Sequence, residues 1–278
     1  MPAEIRSADH PLAGVDGPGV RVLTIANPQK KGAVDAASLH ALSQEAARAT
    51  RDGVRALVLT GEPGLFCSGF DLGSLDVVDA PDAIDALAHR PRADSPLPDL
   101  PDAPLGAACA ALEACAPPIV CAIDGATFGA GVELACACDL RIAAPGLKFS
   151  LPPAKLGVVY SPDGTQRVLR LLGPAQTRRL FLTAATLDSE EALRIGLVDE
   201  VLASPLERAL ALANQMAALS PQSVQGMKQL IHTLTSAQLT QPERAHIESL
   251  RRQSFTSDDA KEGRAAFAER RPPSFTGR

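Results

Sequence analysis

Phe66-Cys67-Ser68-Gly69-Phe70-Asp71-Leu72 and Gly129-Ala130-Gly131-Val132-Glu133-Leu134-Ala135 are the two stretches on which the reading of this 278-residue chain turns. Each follows an apolar run of the kind that forms a buried strand, residues 54–60 before the first and 119–124 before the second. A strand that passes through small residues into a helix leaves free backbone N–H groups at the helix start. Two such turns brought together form a two-donor hole for a developing oxyanion, which is a catalytic device rather than a packing one. Glu133 stands three residues into the second helix, close to where a substrate would lie.

Outward from these turns, the first half of the chain alternates strand and helix. Residues 20–26 read as a strand, and 38–51 carry Leu39, Leu42, Ala46 and Ala49 at helical spacing. Strands separated by helices argue for a parallel or mixed sheet covered on its faces. Residues 76–104 break the pattern with Pro, Asp and Ala, and read as a loop, either a substrate lid or a tolerated insertion. Helix resumes over 105–116, followed by the 119 strand, a helix over 129–138 and a short strand at 140–144. Asp139 reads as the end of that helix. From Gly173 onward the chain is helical, with Pro174, Pro205 and Pro221 at helix starts and Gly196 at a helix end. Ser204 and Glu207 form an expected capping box. The organisation is a core over residues 1–200 and a helical region over 201–278.

Composition narrows the classes. Apolar residues make up 46% and charged residues 21%, with no Trp, one Tyr and eight Phe, so the core is aliphatic. The net charge of −5 and the absence of any basic run beyond adjacent pairs leave no nucleic-acid footprint. No apolar run approaches the roughly 18 residues of a membrane span, and the N-terminus lacks the apolar stretch of a secretory signal. The expected location is the cytoplasm. The six cysteines form no CxxC pair and sit among alanines and valines, which suits small buried hydrophobes and no metal. His10, His40, His89, His232 and His246 fall in unrelated segments, so a Ser/His hydrolase is not indicated.

Six segments in the same order as in known proteins now carry a resemblance. They are residues 26–33, the two turns with the Cys136-Ala137-Cys138-Asp139-Leu140 continuation, 187–201, 220–231 and 259–275. Together they resemble the crotonase superfamily, the enoyl-CoA hydratase/isomerase fold. The resemblance implies an α/β fold, a spiral of ββα units with a helical C-terminal trimerisation region, assembled as a homotrimer or a dimer of trimers. It implies an acyl-CoA thioester as substrate, with coenzyme A arriving as part of that substrate and no separate cofactor. The N–H groups of Phe70 and Ala130 would grip the thioester oxygen. Cys67, Ser68, Gly69, Phe70, Asp71 and Leu72 would contact the CoA moiety, with Lys30 or Lys31 near its phosphates. Asp71 also reads as an organiser of its own turn, and Phe267 as a residue near the CoA site or in ordinary helix packing.

Two donors aimed at a thioester oxygen can each lower the barrier to an enolate by on the order of 3 kcal/mol. The groups around the acyl carbons then decide the outcome. Family hydratases use two glutamates. Glu133 matches the first, but Pro153 stands at the second, and proline neither gives nor takes a proton. Hydration is therefore expected to be reduced or redirected. Tyr160, in a Leu156-Gly157-Val158-Val159-Tyr160 context similar to family decarboxylases of malonyl-type CoA thioesters, would orient a substrate carboxylate or simply anchor the wall. Asp163 is a further polar candidate or a turn residue before Gly164. Three functions stay open: an enoyl-CoA hydratase/isomerase-type enzyme with Glu133 as acid/base, a malonyl-type decarboxylase using Tyr160, and a non-catalytic acyl-CoA binder.

Overall fold

Strands apolar along their whole length need cover on both faces. The computed structural model of the protein describes residues 3–11, 17–71, 100–235, 241, 245, 248–249, 252–253 and 255–274. Most of the 76–104 segment and Leu72 lie outside the described residues. Strands β1 (Glu4–His10), β2 (Val20–Ala26) and β3 (Ala56–Gly61) alternate with helix α1 (Ala36–Arg51). Helix α2 (Ala103–Ala114) leads to β4 (Ile119–Ile123), β5 (Thr127–Phe128), helix α3 (Ala130–Cys136), β6 (Leu140–Ala143) and β7 (Lys148–Ser150). Then come helix α4 (Pro162–Thr183), β8 (Thr186–Asp188), α5 (Ser189–Arg194) and β9 (Glu200–Val201), followed by α6 (Pro205–Ala217), α7 (Pro221–Thr235) and α8 (Asp258–Glu269).

The larger sheet has the order β1-β2-β3-β4-β6-β9, and the smaller one β5-β7-β8. β1 runs antiparallel to β2, and the rest of the larger sheet is parallel. In the smaller sheet β5 and β7 are parallel and β8 is antiparallel. The larger sheet thus advances in chain order while the short strands step aside into the second. That is the progression of a spiral.

Period-2 alternation sends the two faces of each long strand to different cores. Leu23, Ile25, Leu57, Leu59, Ile119, Cys121 and Ile123 pack with α1 and α2. Val20, Val22, Ala56, Val58, Val120, Ala122 and Ile142 meet Ala209, Ala213 and Ala217. Those three alanines, four apart, line one face of α6 and let the helix sit close on the sheet. So α6, which begins the 201–278 region, closes the second face of the sheet. Among the described residues no helix is long and apolar enough to cross a membrane.

Two local expectations need correction. Ser204 does precede the Pro205 start of α6, but it makes no side-chain cap, because its ψ of 71° departs from the extended cap conformation. Asp139 does not end a helix. Its carboxylate accepts the Ile119 N–H at 2.7 Å and pairs with Lys228 at 2.9 Å, fastening the start of β4 to α7. By contrast, Gly173 leaves helical geometry (φ 69°, ψ 172°) and kinks α4 where Pro174 was expected to start a helix.

Candidate active site

The first turn is built by backbone pairing with the segment after β2. The Val34 N–H donates to Gly69 O at 3.0 Å and the Asp71 N–H to Val34 O at 2.7 Å. The Ser68 N–H donates to Lys31 O at 3.2 Å, and Ser68 Oγ to Lys30 O at 2.9 Å. Lys30 Nζ pairs with Asp71 at 2.5 Å, and Lys31 adopts the left-handed conformation that ends its turn. Lys30, Lys31, Cys67, Ser68, Gly69, Phe70 and Asp71 therefore form one neighbourhood. Leu72 is outside the described residues. Asp71 holds its turn, and its partner Lys30 remains half exposed.

The second turn lies directly against the first. The Phe128 N–H donates to Cys67 O at 3.1 Å. A Cβ on Gly131 would sit 2.3 Å from Cys67 O, so only glycine admits this approach. Gly129 takes φ 49°, ψ −111° as the chain leaves β5, and its N–H donates to Ser150 O at 2.9 Å. Helix α3 then begins at Ala130, whose N–H belongs to the first turn and has no partner within the helix. Among the described residues no acceptor takes the Phe70 or the Ala130 N–H. Two unanswered donors thus stand on two touching turns.

Glu133 is 1% exposed, at the inner face of α3. Its Oε2 accepts the Tyr160 hydroxyl at 2.5 Å, and its Oε1 accepts Arg167 Nη1 at 2.9 Å. Arg167 Nη2 pairs with Glu113 at 2.9 Å, and Glu113 also pairs with Arg170. Burial pushes the Glu133 carboxyl above the ordinary carboxylate range, while Tyr160 and Arg167 pull it back. Burial and the neighbouring Glu133 push the Tyr160 phenol well above its usual value, so Tyr160 keeps its proton and donates it. The ring of Tyr160 rests 5.3 Å from that of Phe181.

The chain that carries these two turns and this buried carboxylate is matched along nearly its whole length by known proteins. A family model described as enoyl-CoA hydratase/isomerase matches residues 16–278. The chain belongs to the enoyl-CoA hydratase/isomerase family. A probable enoyl-CoA hydratase of Mycobacterium leprae is 32% identical over 262 residues, covering 93% of this chain and 95% of that one. A probable enoyl-CoA hydratase of Bacillus subtilis is 34% identical over 265 residues, again covering 93% and 95%. The crystal structure of an enoyl-CoA hydratase/isomerase from Pseudoalteromonas atlantica superposes with a TM-score of 0.74 at 28% identity, over 92% of this chain and 96% of that one. The spiral of two sheets is the crotonase fold.

Pro153 is buried at the start of a 3-10 turn, Pro153–Leu156, and brings no carboxyl group. Asp163 lies in the first turn of α4 and lines a cavity of about 340 Å³ with Asp102, Gly106 and Ser161. Phe267, on α8, is 67% exposed. Sequence reasoning missed Glu113, Gly164 and Arg167. A Cβ on Gly164 would lie 2.7 Å from Glu133 Oε2 and 2.6 Å from the Tyr160 ring, so glycine lets α4 close over the carboxylate. The signal was present: Gly164, Arg167 and Val168 fall at i, i+3 and i+4 on the buried face of α4. A charge on such a face demands a buried partner.

Proposed function

We propose that this protein binds an acyl-CoA thioester, holds its carbonyl oxygen between the N–H groups of Phe70 and Ala130, and uses Glu133 alone to move a proton at the resulting enolate. The observation that carries the reading is the pair of donors that no acceptor among the described residues takes, on turns locked together at Gly131 and Cys67. A carboxylate offers about four acceptor directions. Tyr160 and Arg167 use one on each oxygen of Glu133, which leaves room to take a proton. One carboxylate suits a double-bond shift: it removes a proton from C2 of a 3-enoyl thioester and returns it at C4 of the dienolate. Hydration asks for a second acid or base to handle water, and Pro153 supplies none.

The decarboxylase alternative asks the Tyr160 hydroxyl to grip a substrate carboxylate. That hydroxyl has one proton, and it is given to Glu133. The trimer or dimer of trimers that the resemblance implies would cover Met227, Leu230, Ile231 and Leu234, which are exposed along α7.

The test supplies a 3-enoyl-CoA in D₂O, and separately crotonyl-CoA in ¹⁸O-labelled water, with mass spectrometry of the CoA products. The expected result is a conjugated 2-enoyl-CoA, with deuterium at C4 only to the extent that the Glu133 carboxyl exchanges its proton with solvent before delivering it, and crotonyl-CoA without label. An ¹⁸O-labelled 3-hydroxyacyl-CoA formed at a comparable rate would overturn the single-carboxylate reading. Binding without turnover of either substrate would leave the acyl-CoA binder in its place, and loss of CO₂ from a malonyl-type CoA would favour the decarboxylase.

A further inference from the structure

Resting on that reading of Glu133, we propose that Arg167 is the positioning residue of the site: anchored by Glu113, it pins the Glu133 carboxylate in one orientation and keeps it charged. Arg167 is 5% exposed and bridges the two acids through its two terminal nitrogens, each at 2.9 Å. Its Nε is buried and donates to nothing among the described residues, so the two carboxylates are its hydrogen-bond anchorage. Only a forked, planar cation spans two carboxylates in this way, and the single ammonium of lysine serves one well at a time. Glu113 is itself held by Arg170, one turn further along α4. The resulting series, Arg170–Glu113–Arg167–Glu133–Tyr160, alternates in charge and stitches α2, α3 and α4 together at the carboxylate.

The charges around Glu133 define what Arg167 must do. A carboxyl group buried alone takes up a proton and stops being a base. Arg167 and the Tyr160 hydroxyl oppose that, while Asp102, at the start of α2, reinforces it. Cys109 on α2 and Cys136 on α3 also face Glu133, but burial pushes both thiols up, Cys136 to about 12, and holds them neutral. Glu113 competes with Glu133 for the same guanidinium. The two acids should therefore answer removal of their neighbours in opposite directions.

The experiment titrates Glu133 directly, by the infrared carboxylate band that disappears in Glu133→Gln, beside the acid limb of kcat/KM. In Arg167→Gln the Glu133 midpoint is expected to rise by about one pH unit or more, since an opposite charge at contact distance is lost. In Glu113→Gln it is expected to fall, because one negative charge is gone and Arg167 is left to Glu133. Arg167→Lys should lie between Arg167→Gln and the parent. Packing damage alone would reduce activity without moving midpoints to opposite sides. If Arg167→Gln does not fold, Glu113→Gln and Arg167→Lys still decide the matter. Unmoved midpoints in the folded variants would overturn the inference. Midpoints that shift as expected while Glu133→Gln retains turnover would uphold Arg167's role and sink the assignment of Glu133 as the base.

Discussion

Replacing Glu133 by Gln is expected to lower turnover of a 3-enoyl-CoA by on the order of 10²–10⁴-fold, the usual worth of a positioned general base. The substitution is nearly isosteric, and its surroundings can accept it. The amide oxygen can face Arg167 Nη1, and the amide NH₂ can donate to the Tyr160 oxygen, which then turns from donor to acceptor. Calorimetric affinity for a saturated acyl-CoA should stay within a few-fold, because the carboxylate acts on the acyl carbons rather than on the CoA. Retained turnover of the 3-enoyl-CoA in the variant would remove Glu133 from the mechanism. Weakened binding with an unchanged rate constant would make it a substrate-holding group instead.

The second large effect is expected from Ala130→Pro. Proline is well suited to the first position of a helix, where its fixed φ is already helical and its missing N–H is not needed by the helix itself. Ala130 occupies that position in α3, after Gly129, and its N–H meets no acceptor among the described residues. The substitution removes one donor while leaving the fold little changed. Loss of one oxyanion-hole donor costs about 10²–10³ in kcat. The fall should appear in kcat with thioester affinity nearly preserved, since the donor matters most when charge has built up on oxygen. A variant with full activity and an unchanged melting temperature would show that this N–H does not touch the reacting oxygen.

The parts legible in the sequence are those whose physics is local. β2, β3 and β4 are buried almost throughout and mostly apolar, and announce themselves within a few residues. Glycines 69, 129 and 131 mark the turns, because small residues cluster where backbones must approach. β1 escaped notice because its residues are mostly exposed, and only pairing with β2 makes it a strand. β5 and β9, at two residues each, are too short to leave any periodicity. In the site, Glu133 and Tyr160 could be singled out, but not their contact across 27 positions. Arg167 and Glu113 were harder still, since their meaning lies in a bridge between three helices that no spacing along the chain encodes.

The six cysteines, all unpaired and all buried, have a practical consequence. Their thiols are shut away from solvent, and burial holds those of Cys67, Cys109, Cys115, Cys121 and Cys136 protonated, Cys67 and Cys136 being pushed up to about 12, so an alkylating reagent finds little to attack in the folded chain. Mass is added only to molecules that have opened. Tags that arrive together report global unfolding, and tags that arrive singly report a local one. A protein without tryptophan, and so without that fluorescence signal, carries in these thiols its own counter of excursions from the native state.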